Sequence, residues 1–113
     1  HAPLSKFVEG TMTTRLLYPP RQGFQYQSMG ILLAGEIVER ITKKRLRDFL
    51  REEIFGPLGM KDSALGMKPG VKISDTVWSD EGRNPNREDS ERFGPNSAYW
   101  RDMGHPWGGM HST

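Results

Sequence analysis

Cysteine is absent from these 113 residues, so the chain has no disulfide, no thiol nucleophile and no thiolate metal site. No run of about 18 apolar residues occurs either, which excludes a membrane-spanning helix. Charge of one sign is also lacking, since 16 basic residues against 14 acidic ones leave a net charge of +2. The basic cluster Lys43, Lys44, Arg45, Arg47 and Arg51 is interleaved with Asp48, Glu52 and Glu53. With no aromatic stacking platform or recognised nucleic-acid module beside it, the cluster reads as a solvated helix face, and no nucleic-acid partner is expected. Apolar residues make up 35% of the chain at a mean hydropathy of −0.68, whereas glycine and proline number 13 and 8. This length suits one small domain burying roughly 60% or slightly more of its unfolded surface. Its composition predicts a thin core in a loop-rich chain, with apolar helix faces left for another segment to cover.

What is present centres on Gly23 to Met60. In Met29 to Thr42, Ile31, Leu33, Ala34, Ile37, Val38 and Ile41 recur at spacings of three and four, predicting one buried helix face. Glu36 and Arg40, like Glu39 and Lys43, stand four apart with the acid first, as exposed helix pairs do. Arg45 to Phe55 carries Leu46, Phe49, Leu50 and Ile54 at helical spacing, and Pro57 with Gly59 ends it. Two short-linked amphipathic helices predict a hairpin with facing apolar stripes, in which Phe49, Leu50 and Phe55 are core.

The turn before the first of these helices is where chemistry is expected. If Phe24 to Ser28 is extended, the hydroxyls of Tyr26 and Ser28 leave the backbone on the same side. They then share a space beside a helix N-terminus, which favours negative charge. Ser28 is placed as N-cap, and Ile31 at the third helical position rules out a capping box. The same spacing also suits a core tyrosine followed by a simple cap, and both readings stand on these residues alone.

Elsewhere the signals are shorter. Phe7, Val8 and Met12 suit a short helix before the extended Tyr18-Pro19-Pro20 step. Val71 to Ile73 alternates and predicts a short strand reaching Val77 and Trp78. From Ser79 to Asn96, charge, Asn, Gly and Pro dominate and predict a surface loop. The acidic residues Asp80, Glu81, Glu88, Asp89 and Glu91 lack the spacing of a calcium loop. His105 and His111 have no partner at metal-ligand spacing and read as surface histidines, so no metal site is expected. Gly108-Gly109 predicts a tight backbone turn.

Tyr26-Gln27-Ser28 followed by "GILLAGEIVER", "IFGPLGM" at Ile54 to Met60 and "GGMHST" at Gly108 to Thr113 stand in one order that resembles a known family. The chain is similar to the serine β-lactamase-related group of class C β-lactamases, D-alanyl-D-alanine carboxypeptidases and family VIII esterases. The resemblance covers about Gly23 to the last residue. It implies an internal fragment: mainly α with long loops, the helical part of a β-lactamase/transpeptidase-like α+β fold whose main sheet is largely absent from this chain. Residues 1–65 would form the helical hairpin segment carrying the Tyr-x-Ser motif, and residues 66–113 a loop-rich segment ending in the Gly-Gly-x-x-Ser-Thr turn.

By that resemblance the reaction is acyl transfer through an acyl-serine intermediate, with Tyr26 as general base and Ser28 orienting the substrate or a lysine. Trp100 or Trp107 would line an acyl or aryl pocket. A small ester, amide or peptide is the implied substrate, the remaining segments of a parent chain are the implied partners, and no metal or organic cofactor is implied. A periplasmic or secreted location is the family's leaning. Two departures stand out. Lys43 occupies a place where the family commonly has Gly, so a left-handed cap there carries a Cβ. Ser28 replaces the Asn of class C β-lactamases, which leans toward an esterase or peptidase. The family's Ser-x-x-Lys occurs nowhere in the 113 residues, so the chain alone is expected to be inert. The competing expectation is a non-catalytic helical interaction module.

Overall fold

The computed structural model describes residues 4–79 and 87–113. Helix α1 spans Leu4–Met12, α2 Met29–Thr42 and α3 Leu46–Leu50. The last helix continues as a π-helical turn over Arg51–Phe55, with Gly56 N–H donating to the Arg51 carbonyl at 2.8 Å. Strand β1, Ala64–Leu65, pairs antiparallel with β2, Met110–His111, in the register Ala64 to His111 and Leu65 to Met110. Between them lie a 3₁₀ turn at Ile73–Asp75, helix α4 at Arg87–Phe93 and helix α5 at Ala98–Met103.

The expected hairpin forms, and its turn is built from side chains that the i,i+4 pattern assigned elsewhere. Lys43 adopts φ 58° and ψ 19°, the left-handed cap, and its N–H donates to the Glu39 carbonyl at 2.9 Å. Glu39 does not pair with Lys43; its carboxylate accepts the Leu46 N–H at 2.7 Å and so caps α3 across the turn. The Glu36–Arg40 pair forms as expected at 2.8 Å.

The buried seam of α2 lies opposite to the one its periodicity predicts. Leu32 is 3% exposed and Gly35 is buried, whereas Ile37 and Ile41 are 56% and 76% exposed. At 100° per residue, Leu32 and Gly35 face away from the stripe of Ala34, Ile37 and Ile41. The cause is close packing: a Cβ on Gly35 would stand 3.0 Å from Leu46 Cδ2 and 3.4 Å from Pro106 Cγ, so α3 and the Pro106 turn approach where α2 is thinnest. Around that approach the core collects Val8, Leu32, Leu46, Phe55, Leu65 and Met103, drawn from α1, α2, α3, β1 and α5. A fully buried Leu of this kind contributes about 2 kcal/mol. The core is thin, and the radius of gyration of 15.9 Å exceeds the ~13 Å of a compact domain of this length.

Two expectations for the middle of the chain fail. Val71 to Trp78 forms no strand; Ile73–Asp75 is a 3₁₀ turn, and Val77 and Trp78 are 90% and 69% exposed. With no neighbouring strand among the described residues to take its N–H and C=O groups, the alternating pattern has nothing there to pair with. The loop expected over 79–96 contains α4, whose Phe93 meets Tyr99 of α5 edge-on at 5.3 Å between ring centres. Asp80 and Glu81 lie outside the described residues.

Candidate active site

Chemistry-bearing side chains gather at both ends of the segment Ser97 to Gly109. Ser97 is a true N-cap, its hydroxyl accepting the Trp100 N–H at 3.1 Å, and α5 ends at Gly104 with φ 64°. The chain then turns through His105-Pro106-Trp107, closed by the Gly109 N–H donating to the His105 carbonyl at 2.9 Å. A Cβ on Gly109 would lie 2.7 Å from the His105 nitrogen and 2.8 Å from its carbonyl oxygen, so only glycine fits. The Gly109 carbonyl accepts the Gly66 N–H at 2.7 Å, extending the β1–β2 pairing. The expected tight turn is therefore present.

His105 is not a surface histidine: its exposure is 0%. Its ring stands between Trp100 at 4.6 Å and Trp107 at 4.4 Å, centre to centre, and neither ring nitrogen has a hydrogen-bond partner among the described residues. Burial pushes its pKa below the ordinary histidine value. A neutral imidazole here already leaves one donor and one acceptor unmet, and an imidazolium would leave two donors unmet. The aromatic faces return about 0.5–2 kcal/mol to a cation, less than the several kcal/mol lost on burying an unpaired charge. The neutral form is the resident one.

Two recesses flank this ring stack. An open cleft of about 910 Å³ is lined by Lys68, Val71, Thr76, Trp100 and Arg101 together with Gly108 to Thr113. Arg101, 6% exposed, holds its wall: Nη1 donates to the Thr76 hydroxyl at 2.7 Å, and Nη2 to the Val77 carbonyl at 2.7 Å and Asn96 Oδ1 at 2.8 Å. Asn96 in turn accepts the Ser79 N–H at 2.8 Å and donates to the Ser79 carbonyl at 2.6 Å. A smaller cavity of about 330 Å³ lies between α1, the start of α2 and Trp107, lined by Phe7, Ser28, Met29, Leu32 and Trp107 with Lys6 at its edge. Trp107 meets Phe7 edge-on there at 5.6 Å.

The expected site residues are thus divided. Ser28 and Trp107 share the small cavity, Trp100 lines the large cleft, and Tyr26, 81% exposed, lines neither recess. Ser28 is not the side-chain cap of α2. Its backbone is helical at φ −89° and ψ −14°, so the extended run stops before it, and Gln27 Oε1 accepts the Gly30 N–H at 2.8 Å instead. That leaves the Ser28 hydroxyl uncommitted to the helix end. The roles of His105, Arg101 and Asn96 carry no signal in the sequence, because the Arg101 partners Thr76 and Val77 lie 25 and 24 positions away.

The hairpin, the short antiparallel strand pair and the Gly-Gly turn are a piece of a β-lactamase-like fold, as family and structural matches show. The model of the family described as Beta-lactamase matches residues 2–113, and the chain belongs to that family. Among solved structures, D-amino acid amidase from Ochrobactrum anthropi SV3 superposes over 97% of this chain and 31% of its own, with a TM-score of 0.69 at 25% identity. Its complex with D-phenylalanine gives 0.64 at 27% identity, covering 97% and 33%. Among curated relatives, the lovastatin esterase of Penicillium rubens is 40% identical over 58 residues, 51% of this chain and 14% of that protein. The D-aminopeptidase of Cereibacter sphaeroides is 38% identical over 48 residues, 42% of this chain and 9% of that protein. The matched stretches therefore span about one-seventh or less of the length of these curated relatives.

Proposed function

We propose that this chain is the Tyr-motif wall of a serine hydrolase acting on a small ester, amide or peptide through an acyl-serine intermediate. Tyr26 is the general base. It takes the proton of a serine hydroxyl supplied by the rest of the protein, whose oxygen then bonds to the substrate carbonyl carbon as the alcohol or amine leaves with a proton. In the second half, Tyr26 takes a proton from water, the hydroxide displaces the serine oxygen from the acyl carbon, and Tyr26 returns the proton to that oxygen. Ser28 orients the substrate or the lysine that assists the serine.

The observation that carries this reading is the placement of the Tyr26 ring. It is 81% exposed and three positions ahead of the first residue of α2, rather than sealed in the core. Relatives named for esterase and D-aminopeptidase activity support the reaction class. The test is Tyr26→Phe in the intact hydrolase carrying this sequence, assayed with a p-nitrophenyl ester. A fall of about 10²–10⁴ in kcat is expected, with no turnover by the 113-residue chain alone. A variant as fast as the parent, or turnover by the isolated chain, rejects the assignment.

The exposed stripe of Ala34, Ile37 and Ile41 favours one second reading, a non-catalytic helical interaction module. An intact protein that hydrolyses no ester, amide or peptide yet loses a partner on Ile41→Glu substitution would favour that module.

A further inference from the structure

Among the described residues, His105 is a fully buried titratable side chain that the reaction scheme above does not use. It also touches both tryptophans that border recesses, Trp100 on the large cleft and Trp107 on the small cavity beside Ser28. We propose that His105 is a positioning residue: its neutral imidazole spaces Trp100 from Trp107 and thereby holds a wall of each recess, and a gained proton releases both walls together.

The geometry supports this in three ways. First, the ring has nowhere to go. Its own backbone is pinned by the turn to Gly109, and a Cβ on that glycine would lie 3.1 Å from Nδ1. Second, both ring nitrogens are without partners, so the position is occupied at a cost that an apolar ring would avoid. Third, the charged side chains of the neighbouring helices that the structure describes are paired elsewhere. On α5, Arg101 is committed to Thr76, Val77 and Asn96, and Asp102 faces Arg47 of α3. On α1, Lys6 pairs with Glu9. On β2 the titratable group is His111. Burial lowers the His105 pKa.

The inference uses the proposed reaction only to say which cavity Trp107 walls, and its readout needs no catalysis. In the intact protein with ¹³C-labelled histidine, the His105 resonance is followed by NMR from neutral to acid pH alongside tryptophan emission. The expected result is a His105 ring that stays neutral where an ordinary histidine titrates, at roughly pH 6.5. It then gains its proton at lower pH in step with an emission shift, while far-ultraviolet circular dichroism is unchanged. His105→Phe, which keeps an aromatic spacer without a titrating nitrogen, should fold and show flat emission over that range. His105 titrating at the ordinary value, protonating only as the whole chain unfolds, or protonating without the emission shift would each overturn the proposal. So would the same shift persisting in His105→Phe. If Tyr26→Phe leaves hydrolysis intact while these signals behave as expected, the catalytic reading fails and this one stands.

Discussion

Arg47 on α3 reaches Asp102 at the end of α5, donating to its backbone carbonyl through Nη2 and to its carboxylate through Nη1 at 3.4 Å. Fifty-five positions separate the two. The guanidinium lies so close to the backbone that a Cβ on either Gly66 or Gly104 would come within 2.7 Å of Nη2. One side chain thus ties the hairpin to the segment that leads into His105.

Removing that tie should loosen both recesses without touching them. Arg47→Ala is expected to cost about 1.5–3 kcal/mol, the range for a hydrogen bond to or from a charged group, measured by urea unfolding. Asp102→Ala should cost less, since the carbonyl acceptor remains. Arg47→Lys should recover only part of the loss, because a compact ammonium lacks the planar fork that reaches both acceptors.

The two glycines of the turn should respond unequally. Gly109→Ala forces a methyl against the backbone of His105 and is expected to destabilise by about 3 kcal/mol. Gly108→Ala meets only His105 Nε2 at 3.6 Å, an ordinary contact, and should stay within about 0.5 kcal/mol. Thermal unfolding of the pair separates steric need from mere turn preference.

At the hairpin turn, two substitutions should act with opposite sign. Glu39→Ala removes the acceptor of the Leu46 N–H and should cost about 0.5–2 kcal/mol, as loss of a cap does. Lys43→Gly relieves a left-handed backbone that costs a side-chain-bearing residue about 1–2 kcal/mol. The extra freedom of glycine in the unfolded chain offsets part of that, leaving a gain of about 0.5–1 kcal/mol. Melting temperatures would show the opposite shifts.

Capping and chemistry should separate at the start of α2. Gln27→Ala is expected to lower stability by about 1 kcal/mol because its amide oxygen holds the Gly30 N–H. Ser28→Ala loses no cap and should leave stability unchanged while altering hydrolysis by the intact enzyme. Equal stability losses in both would return Ser28 to a capping role.

Stability should fall as the pH drops below the ordinary histidine value. Burial lowers the His105 pKa in the folded state. Between that lowered value and the unfolded value of roughly 6.5, the unfolded chain binds a proton that the folded one does not. Stability therefore rises with pH across this window, and the contribution is fully present above it. Comparing unfolding free energies of the wild type and His105→Phe from pH 7.5 to 5 should show that this slope is lost in the variant.

The sequence determined the local elements, because the information for them is local. The α2 span and the hairpin follow from residues within a few positions of one another, the left-handed cap at Lys43 was legible from the family resemblance, and the family motifs lie in the same stretch. Periodicity failed where a distant segment chose the outcome. Gly35 rather than Ile37 faces inward because Leu46 and Pro106 need the missing side chain's space. Asn96 and Arg101 form a buried cluster only because the 76–79 segment folds over them. His105 looks like any polar turn residue until the two tryptophans close on it. Burial and partnership are properties of which surfaces meet, and only tertiary structure brings together positions that the chain keeps far apart.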